Sequence, residues 1–397
     1  MAMPGEEALD DAIAFSRRHL RSMQAAGKLR PPMAKQVSRA LDIPLPRTPR
    51  RLETMRYIDE YDKETAFDSV VLELARLDFE LVRSLHLREL KTLSLWWRDL
   101  YDSVKLSYTR DRIVELFFWS CGVYYEENYS RSRIMLTKIF GLISMMDDTY
   151  DVHATLVECH KLNEAIQRWD KRAVSILPEY LRVFYIKLLS NFDEMEDSLE
   201  PNEKHRVSYA KTAYKKCSEC YLHEVQWFSD KHVPSFAEHL NLSFMSSGIP
   251  ALAPAVLMGV PEKDGAATVE AFDWVVSVPD LLRAGSEVGR FLNDIASYKG
   301  RKKNKKDIQN LVECYMTEHG VSGEAAVAAV AALSERSWRT INRACVEMDP
   351  TLLPAARLLV NLTSTMEVVY LGGKDGYTSG TGLKGLVTDL FLDPVHG

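Results

Sequence analysis

Apolar residues recur at helical spacing almost from one end of this chain to the other, and no other feature limits the fold as much. Phe67, Val70, Val71, Leu74 and Leu81 fall at i, i+3, i+4, i+7 and i+14, one stripe of an amphipathic helix. There is no sustained alternating run of the kind that makes a strand, no internal repeat and no low-complexity tract. The expected fold class is therefore all-α. With 397 residues, 46% of them hydrophobic, the chain can bury a large core. Pro31, Pro32, Pro44, Pro46 and Pro49 punctuate the start, after which helical patterning resumes for good. Residues 1–62 are thus expected to form a short helical segment with a stiff exit, and residues 63–397 one large helical body.

Charge and cysteine usage narrow the function classes. Lys plus Arg total 50 against 56 Asp plus Glu, a formal charge of -6, which does not suit a nucleic-acid or membrane-surface protein. No apolar stretch is expected to reach the roughly 20 residues that span a bilayer. The start, Met1-Ala2-Met3-Pro4-Gly5-Glu6, lacks the basic and apolar regions of a secretory signal. Six scattered cysteines fit a reducing compartment. Cys217 and Cys220 form a C-x-x-C without a second pair, and read as two thiols on one helical turn. Two segments break the helical pattern. The basic run Lys299-Gly300-Arg301-Lys302-Lys303-Asn304-Lys305-Lys306 is expected to be solvated, and the glycine-rich stretch from Gly372 to Gly385 to be loop-like.

The chemistry sits where an apolar run, Ile139 to Met146, meets Asp147-Asp148-Thr149-Tyr150-Asp151. On a helix Asp147 and Asp151 share one face. Like charges so placed repel, and leaving an apolar environment together they would cost far more unless a cation lay between them. Hard carboxylate oxygens at this spacing suit Mg2+, which keeps waters and shares its remaining sites with substrate phosphate. A second cluster, Asn293, Ser297 and Arg301 at i, i+4 and i+8, offers neutral oxygens for a further metal site, and Arg290 one turn earlier is a fork-shaped phosphate donor. Upstream, Arg110-Asp111-Arg112 precedes Phe117-Phe118-Trp119, so guanidinium groups for a diphosphate lie near aromatic faces for a cation.

These elements resemble the plant class I terpene synthases, most closely those of grasses that make sesquiterpenes. The resemblance spans essentially the whole chain. It is carried by Asp147-Asp148-Thr149-Tyr150-Asp151, by Arg110-Asp111-Arg112, by Arg290-Phe291-Leu292-Asn293-Asp294-Ile295-Ala296-Ser297 and by Asp375-Gly376-Tyr377-Thr378. It implies a class I α-helical bundle that binds a prenyl diphosphate with three Mg2+ ions, Mn2+ being an alternative. Asp147 and Asp151 would ligate metal with Asp148 supporting, and Asn293 and Ser297 would ligate from the facing wall. Arg110, Arg112 and Arg290 would meet the diphosphate. Trp119, Tyr370 and Tyr377 would line the cation's contour, and Asp375 would join the substrate-binding set. Ser246-Ser247-Gly248 matches the family's helix break, and the loops after Arg301 and from Gly372 match those that close over the site.

Two departures qualify this. The family's second motif ends in a glutamate that ligates metal, and this chain has Arg301 there. An arginine cannot ligate Mg2+, so a water could fill the position, the guanidinium could turn to the diphosphate, or metal binding could weaken. The other departure is length. Residues 1–62 match only the last helices of the family's N-terminal domain, which implies apolar faces left uncovered. The leading expectation is a cytoplasmic sesquiterpene synthase acting on farnesyl diphosphate, monomeric or weakly dimeric, without nucleic acid or a membrane span. A monoterpene synthase using geranyl diphosphate, or a non-catalytic relative that binds prenyl diphosphates, are the alternatives.

Overall fold

The computed structural model describes residues 2–300, 310–380 and 382–393. Regular structure among these residues is helical throughout, with no strand. The first helices are α1 (Glu7–Ala25), α2 (Met33–Asp42), α3 (Arg50–Tyr61) and the long α4 (Ser69–Val104). Next come α5 (Ile113–Val123), α6 (Ser130–Asp148), α7 (Leu156–Arg168), α8 (Glu179–Asp197) and α9 (Arg206–Ser229). The chain continues through α10 (Phe236–Ser246), α11 (Ile249–Met258), α12 (Val269–Val276) and α13 (Asp280–Gly300). It closes with α14 (Leu311–His319), α15 (Gly323–Glu347), α16 (Leu353–Val369), α17 (Gly376–Ser379) and α18 (Lys384–Phe391).

Local chemistry marks many of the boundaries. Asp68 caps α4 by accepting from the Val70 and Val71 amides, and the pairs Thr155–Glu158, Ser235–Glu238 and Asn310–Glu313 form capping boxes at α7, α10 and α14. Between α10 and α11 the backbone turns at Gly248 (φ 78°), where the sequence places a helix break.

Five helices close into a ring, because α5 packs on α6, α6 on α11, α11 on α13, α13 on α16 and α16 back on α5. Composition explains their central position. All ten residues of α11 are buried, and α5 buries Leu116, Phe117, Phe118 and Trp119, so each is apolar on every side. Close approach needs small residues at two crossings. A Cβ on Gly122 would lie 2.2 Å from Thr365 Oγ1, and one on Gly259 would lie 2.7 Å from the Ser132 Cα. Helices α9 and α15 pack outside α11 and α13. A buried bidentate pair, Arg133 to Glu89 at 2.8 Å, ties α6 to α4. The N-terminal helices strap onto α15: Arg47 grips Glu335 at 2.7 and 2.8 Å and lies 4.7 Å over the Trp338 ring, while Asn342 donates to the Ala2 carbonyl.

The apolar stripe that announces α4 is a face left uncovered rather than a packed one. Val70, Val71, Leu74, Leu77 and Leu81 are exposed, and the helix packs through Leu72, Phe79, Val82 and His86 instead. Two expectations change. The glycine-rich stretch is not an open loop: α17 and the start of α18 lie within it. Two segments, Phe236–Met258 and Pro350–Gly373, are long and apolar enough to cross a membrane, contrary to the expectation that none is. Their apolar length follows from burial, since most of each lies inside the protein and the first is bent at Gly248. Residues 301–306 of the basic run, including Arg301, lie outside the described residues. Cys217 and Cys220 are both buried on α9.

Candidate active site

The functional side chains gather at one end of the ring, where α6 and α16 finish and α5 begins. The motif carrying Asp147 to Asp151 starts in the last turn of α6 and continues as a π-helical turn, Thr149–His153. Its two inner residues anchor it. Thr149 donates to the Met145 carbonyl and pairs with the Tyr108 hydroxyl at 3.1 Å; Tyr150 is buried against Ser218 at 2.8 Å. With these turned inward, Asp147 and Asp151 are left water-accessible.

Arg110 is the counterweight to this acidic turn. Its Nη2 lies 2.6 Å from Asp147 Oδ2 and its Nε 2.8 Å from Asp148 Oδ1, while its backbone amide donates to Asp148 Oδ2 at 2.7 Å. Burial works against the Arg110 charge, but Asp147 and Asp148 outweigh it. Asp148 itself is buried, which pushes its carboxyl up to about 6 despite Arg110. Asp148 therefore orients Arg110, whereas Asp147 and Asp151 face outward. Asp151 is open to water, yet protein groups crowd it. The hydration lost to these neighbours, followed by the charges of Asp147 and Glu224, raises its carboxyl above the ordinary range.

The second wall comes from α13. Arg290 pairs with the fully buried Asp294 and donates to Asn293. Asp294 also accepts the Leu311 amide at 2.8 Å, which makes it a structural anchor. Asn293 donates to the Tyr370 hydroxyl at 3.1 Å, and Ser297 is exposed one turn further on. The aromatic wall is Trp119, Phe140 and Tyr377. Trp119 and Phe140 have ring centroids 5.1 Å apart, each lies 6.4 Å from Tyr377, and the Tyr377 hydroxyl pairs with Ser144. Phe140 joins a lining that sequence reasoning filled with Trp119, Tyr370 and Tyr377. Asp375 caps α17 through the Thr378 amide at 2.8 Å, so its carboxylate is engaged there. Arg112 donates to the carbonyls of Tyr377 and Thr378, both at 2.9 Å, rather than lying beside Asp147.

Sequence reasoning missed Glu224. It projects from α9, accepts from Ser246 Oγ at the helix break, and is pushed up to about 7 by burial, with Asp147 and Asp294 adding to the rise and Arg290 opposing it. It thus feels both walls. A signal existed: Cys217, Cys220, Tyr221 and Glu224 fall at i, i+3, i+4 and i+7, so the carboxylate interrupts an apolar face. An open cleft of about 670 Å³ lies on the outer end of α9, lined by His223, Gln226, Trp227, Asp230, Lys231 and His232. None of the side chains just described lines it, and the convergence of carboxylates and arginines, not cleft size, locates the site.

These residues fit a divalent cation. Asp147 raises the proton affinity of both Asp151 and Glu224, so negative charge there is in excess of what Arg110 offsets. Among the described residues no three His, Cys, Asp or Glu side chains are grouped so as to hold a metal. An all-helical ring with carboxylates, guanidinium groups and an aromatic wall gathered at one end suits a metal-dependent enzyme. Residues 98–340 match the profile of the terpene synthase family, metal binding domain. The chain is 58% identical over 395 residues to eudesmanediol synthase of Zea mays, covering all of this chain and 70% of that enzyme. With alpha-copaene synthase of Zea mays it shares 44% identity over 398 residues, 98% of this chain and 73% of the relative. The isoprene synthase of grey poplar (Populus x canescens), solved with three Mg2+ ions and dimethylallyl-S-thiolodiphosphate, superposes with a TM-score of 0.89 at 28% identity, over 99% of this chain and 74% of that one. This chain belongs to the terpene synthase family, lyases that act on prenyl diphosphates, and its metal-binding domain uses divalent cations.

Proposed function

We propose that this protein uses Mg2+ to ionise farnesyl diphosphate and releases a sesquiterpene together with diphosphate. The observation that carries the reading is the Arg110 grip on Asp147 and Asp148 near the outward carboxylate of Asp151 and the enclosed one of Glu224, with Arg290 and Asn293 paired on the other wall. The substrate's length is inferred from relatives named for eudesmanediol and alpha-copaene, and the choice of Mg2+ from the three Mg2+ ions in the grey-poplar isoprene synthase.

Asp147 and Asp151 would hold metal on one wall, and Asn293 and Ser297 on the other. Bound Mg2+ supplies Lewis-acid stabilisation of the departing diphosphate. Arg110 and Arg290 offset the same developing charge as the carbon–oxygen bond breaks and its electron pair leaves with the oxygen. The allylic cation left behind faces the rings of Trp119, Phe140 and Tyr377, whose negative π-faces stabilise it. The apolar wall also keeps water from the cation. Proton loss then gives the hydrocarbon, and capture of a water gives an alcohol. We further propose that residues 1–62 belong to an N-terminal helical domain and residues 63–397 to the catalytic domain; the exposed seam of α4 supports that division.

Arg301, where the family resemblance implies a metal-ligating glutamate, supports a second reading in which the protein binds prenyl diphosphates without turnover. Thermal shift with non-hydrolysable thiolodiphosphates separates binding from its absence. The farnesyl analogue with Mg2+ should raise the melting temperature by several degrees, and by more than the geranyl analogue. No shift in folded protein would contradict both readings.

A further inference from the structure

The two arginines of the Arg110-Asp111-Arg112 segment do different things. Arg110 reaches the carboxylates. Each nitrogen of Arg112 donates to a backbone carbonyl instead: Nε to Tyr377 and Nη2 to Thr378, both at 2.9 Å, and Nη1 to Asp111 at 2.8 Å. Tyr377 and Thr378 belong to α17, a four-residue turn too short to persist by itself. The turn is also fixed by the Asp375 cap, by a 3.2 Å bond from Arg110 to Thr378 Oγ1 and the Arg110 guanidinium 5.0 Å over the Tyr377 ring, by Ser379 Oγ on the Asp375 carbonyl, and by the Tyr377 hydroxyl on Ser144. Arg112 holds its backbone from the α5 side with a two-pronged, charge-assisted grip. Gly380, at the turn's end, shows how closely the chain passes. Its φ is 64°, and a Cβ there would lie 3.0 Å from Glu115 Oε1 and 3.3 Å from Arg112 Cζ.

We infer that Arg112 is a positioning residue, which clamps the Gly376–Ser379 turn and so sets the Tyr377 ring in the aromatic wall, leaving diphosphate recognition in this segment to Arg110. The part that concerns the cation rests on the terpene synthase reading above; the clamp itself does not. Lysine keeps the charge but is a point donor that cannot reproduce the fork. Arg112→Lys and Arg112→Gln should therefore both release the turn, and Gly380→Ala should loosen the same grip while leaving the guanidinium in place.

The test combines hydrogen exchange with kinetics on the full chain. Exchange of the Thr378 and Gly380 amides, which are hydrogen-bonded within the turn, should accelerate at least about tenfold in all three variants, with α6 and α13 unchanged. With farnesyl diphosphate and Mg2+, kcat should fall and the share of acyclic or hydroxylated products should rise several-fold, while KM stays within about twofold. Unchanged exchange in the turn overturns the clamp, whatever the activity. So does an Arg112→Gln variant whose KM rises about tenfold with an unaltered product profile, rescued by lysine, because that pattern belongs to a diphosphate ligand. If the parent chain makes no terpene, the exchange measurement alone decides, so failure of the activity and failure of the clamp remain distinguishable.

Discussion

A single side chain, Arg110, shows how the site is balanced. It neutralises part of an acidic turn that would otherwise repel itself, and it leaves Asp147 and Asp151 facing outward. Asp147→Ala should lower turnover by at least about a hundredfold while the far-ultraviolet circular dichroism stays helical; retained turnover would remove Asp147 from the metal set. Asp294 behaves differently, because its partner Arg290 is already committed to it inside the protein. Asp294→Ala should cost about 1–3 kcal/mol in urea unfolding, since it leaves the half-buried Arg290 guanidinium and the Leu311 amide without their shared acceptor. The Asp147–Asp151 motif was legible in sequence because charge erupting from an apolar helix demands a reason. Glu224 was not read, because one carboxylate on a cysteine-bearing face looks like any surface residue until the helix is placed. Arg112 was legible as a cation but not as a clamp, since its partners are backbone carbonyls some 265 residues away, and backbone carbonyls leave no mark in a sequence.

Among the elements, α4 separates what periodicity can reveal from what it cannot. Its apolar stripe foretold a helix, and a helix forms, but the stripe faces solvent. Spacing marks one face as apolar without saying whether anything covers it. Leu72 and Phe79, on the other side, carry the packing. Leu74→Gln combined with Leu77→Gln should change unfolding stability by no more than about 0.5 kcal/mol per site, whereas Phe79→Ala should cost about 3–5 kcal/mol. A large loss from the Leu74 and Leu77 changes would mean that the seam is covered in solution. The turn at Gly248 shows another route, where the family resemblance implied a break over Ser246-Ser247-Gly248 and the backbone turns there. The short α17 could not have been foreseen, because glycines hide a turn that is stabilised from outside.

Across the whole molecule, the all-α class and the order of its motifs followed from pattern, while the ring of five helices came only from their packing. A buried histidine ties the bundle's stability to pH. His86 is 1% exposed and donates to the Tyr125 carbonyl, and burial, with Arg133 and Arg51 nearby, pushes its pKa down to about 3. Unfolded, the imidazole takes up a proton below about pH 6.5. The unfolded state thus binds more protons between pH 6.5 and 3, and stability should fall as pH drops through that window, by at most about 1.4 kcal/mol per unit from this group. Urea unfolding at stepped pH should show a shallower decline for His86→Gln than for the parent chain. The central claim, that this bundle is a working metal-dependent synthase, meets its most direct test in gas chromatography–mass spectrometry of products. Farnesyl and geranyl diphosphate would be supplied in parallel, with and without Mg2+. The account expects a sesquiterpene from farnesyl diphosphate only when the metal is present; folded protein that yields no terpene from either substrate would contradict it.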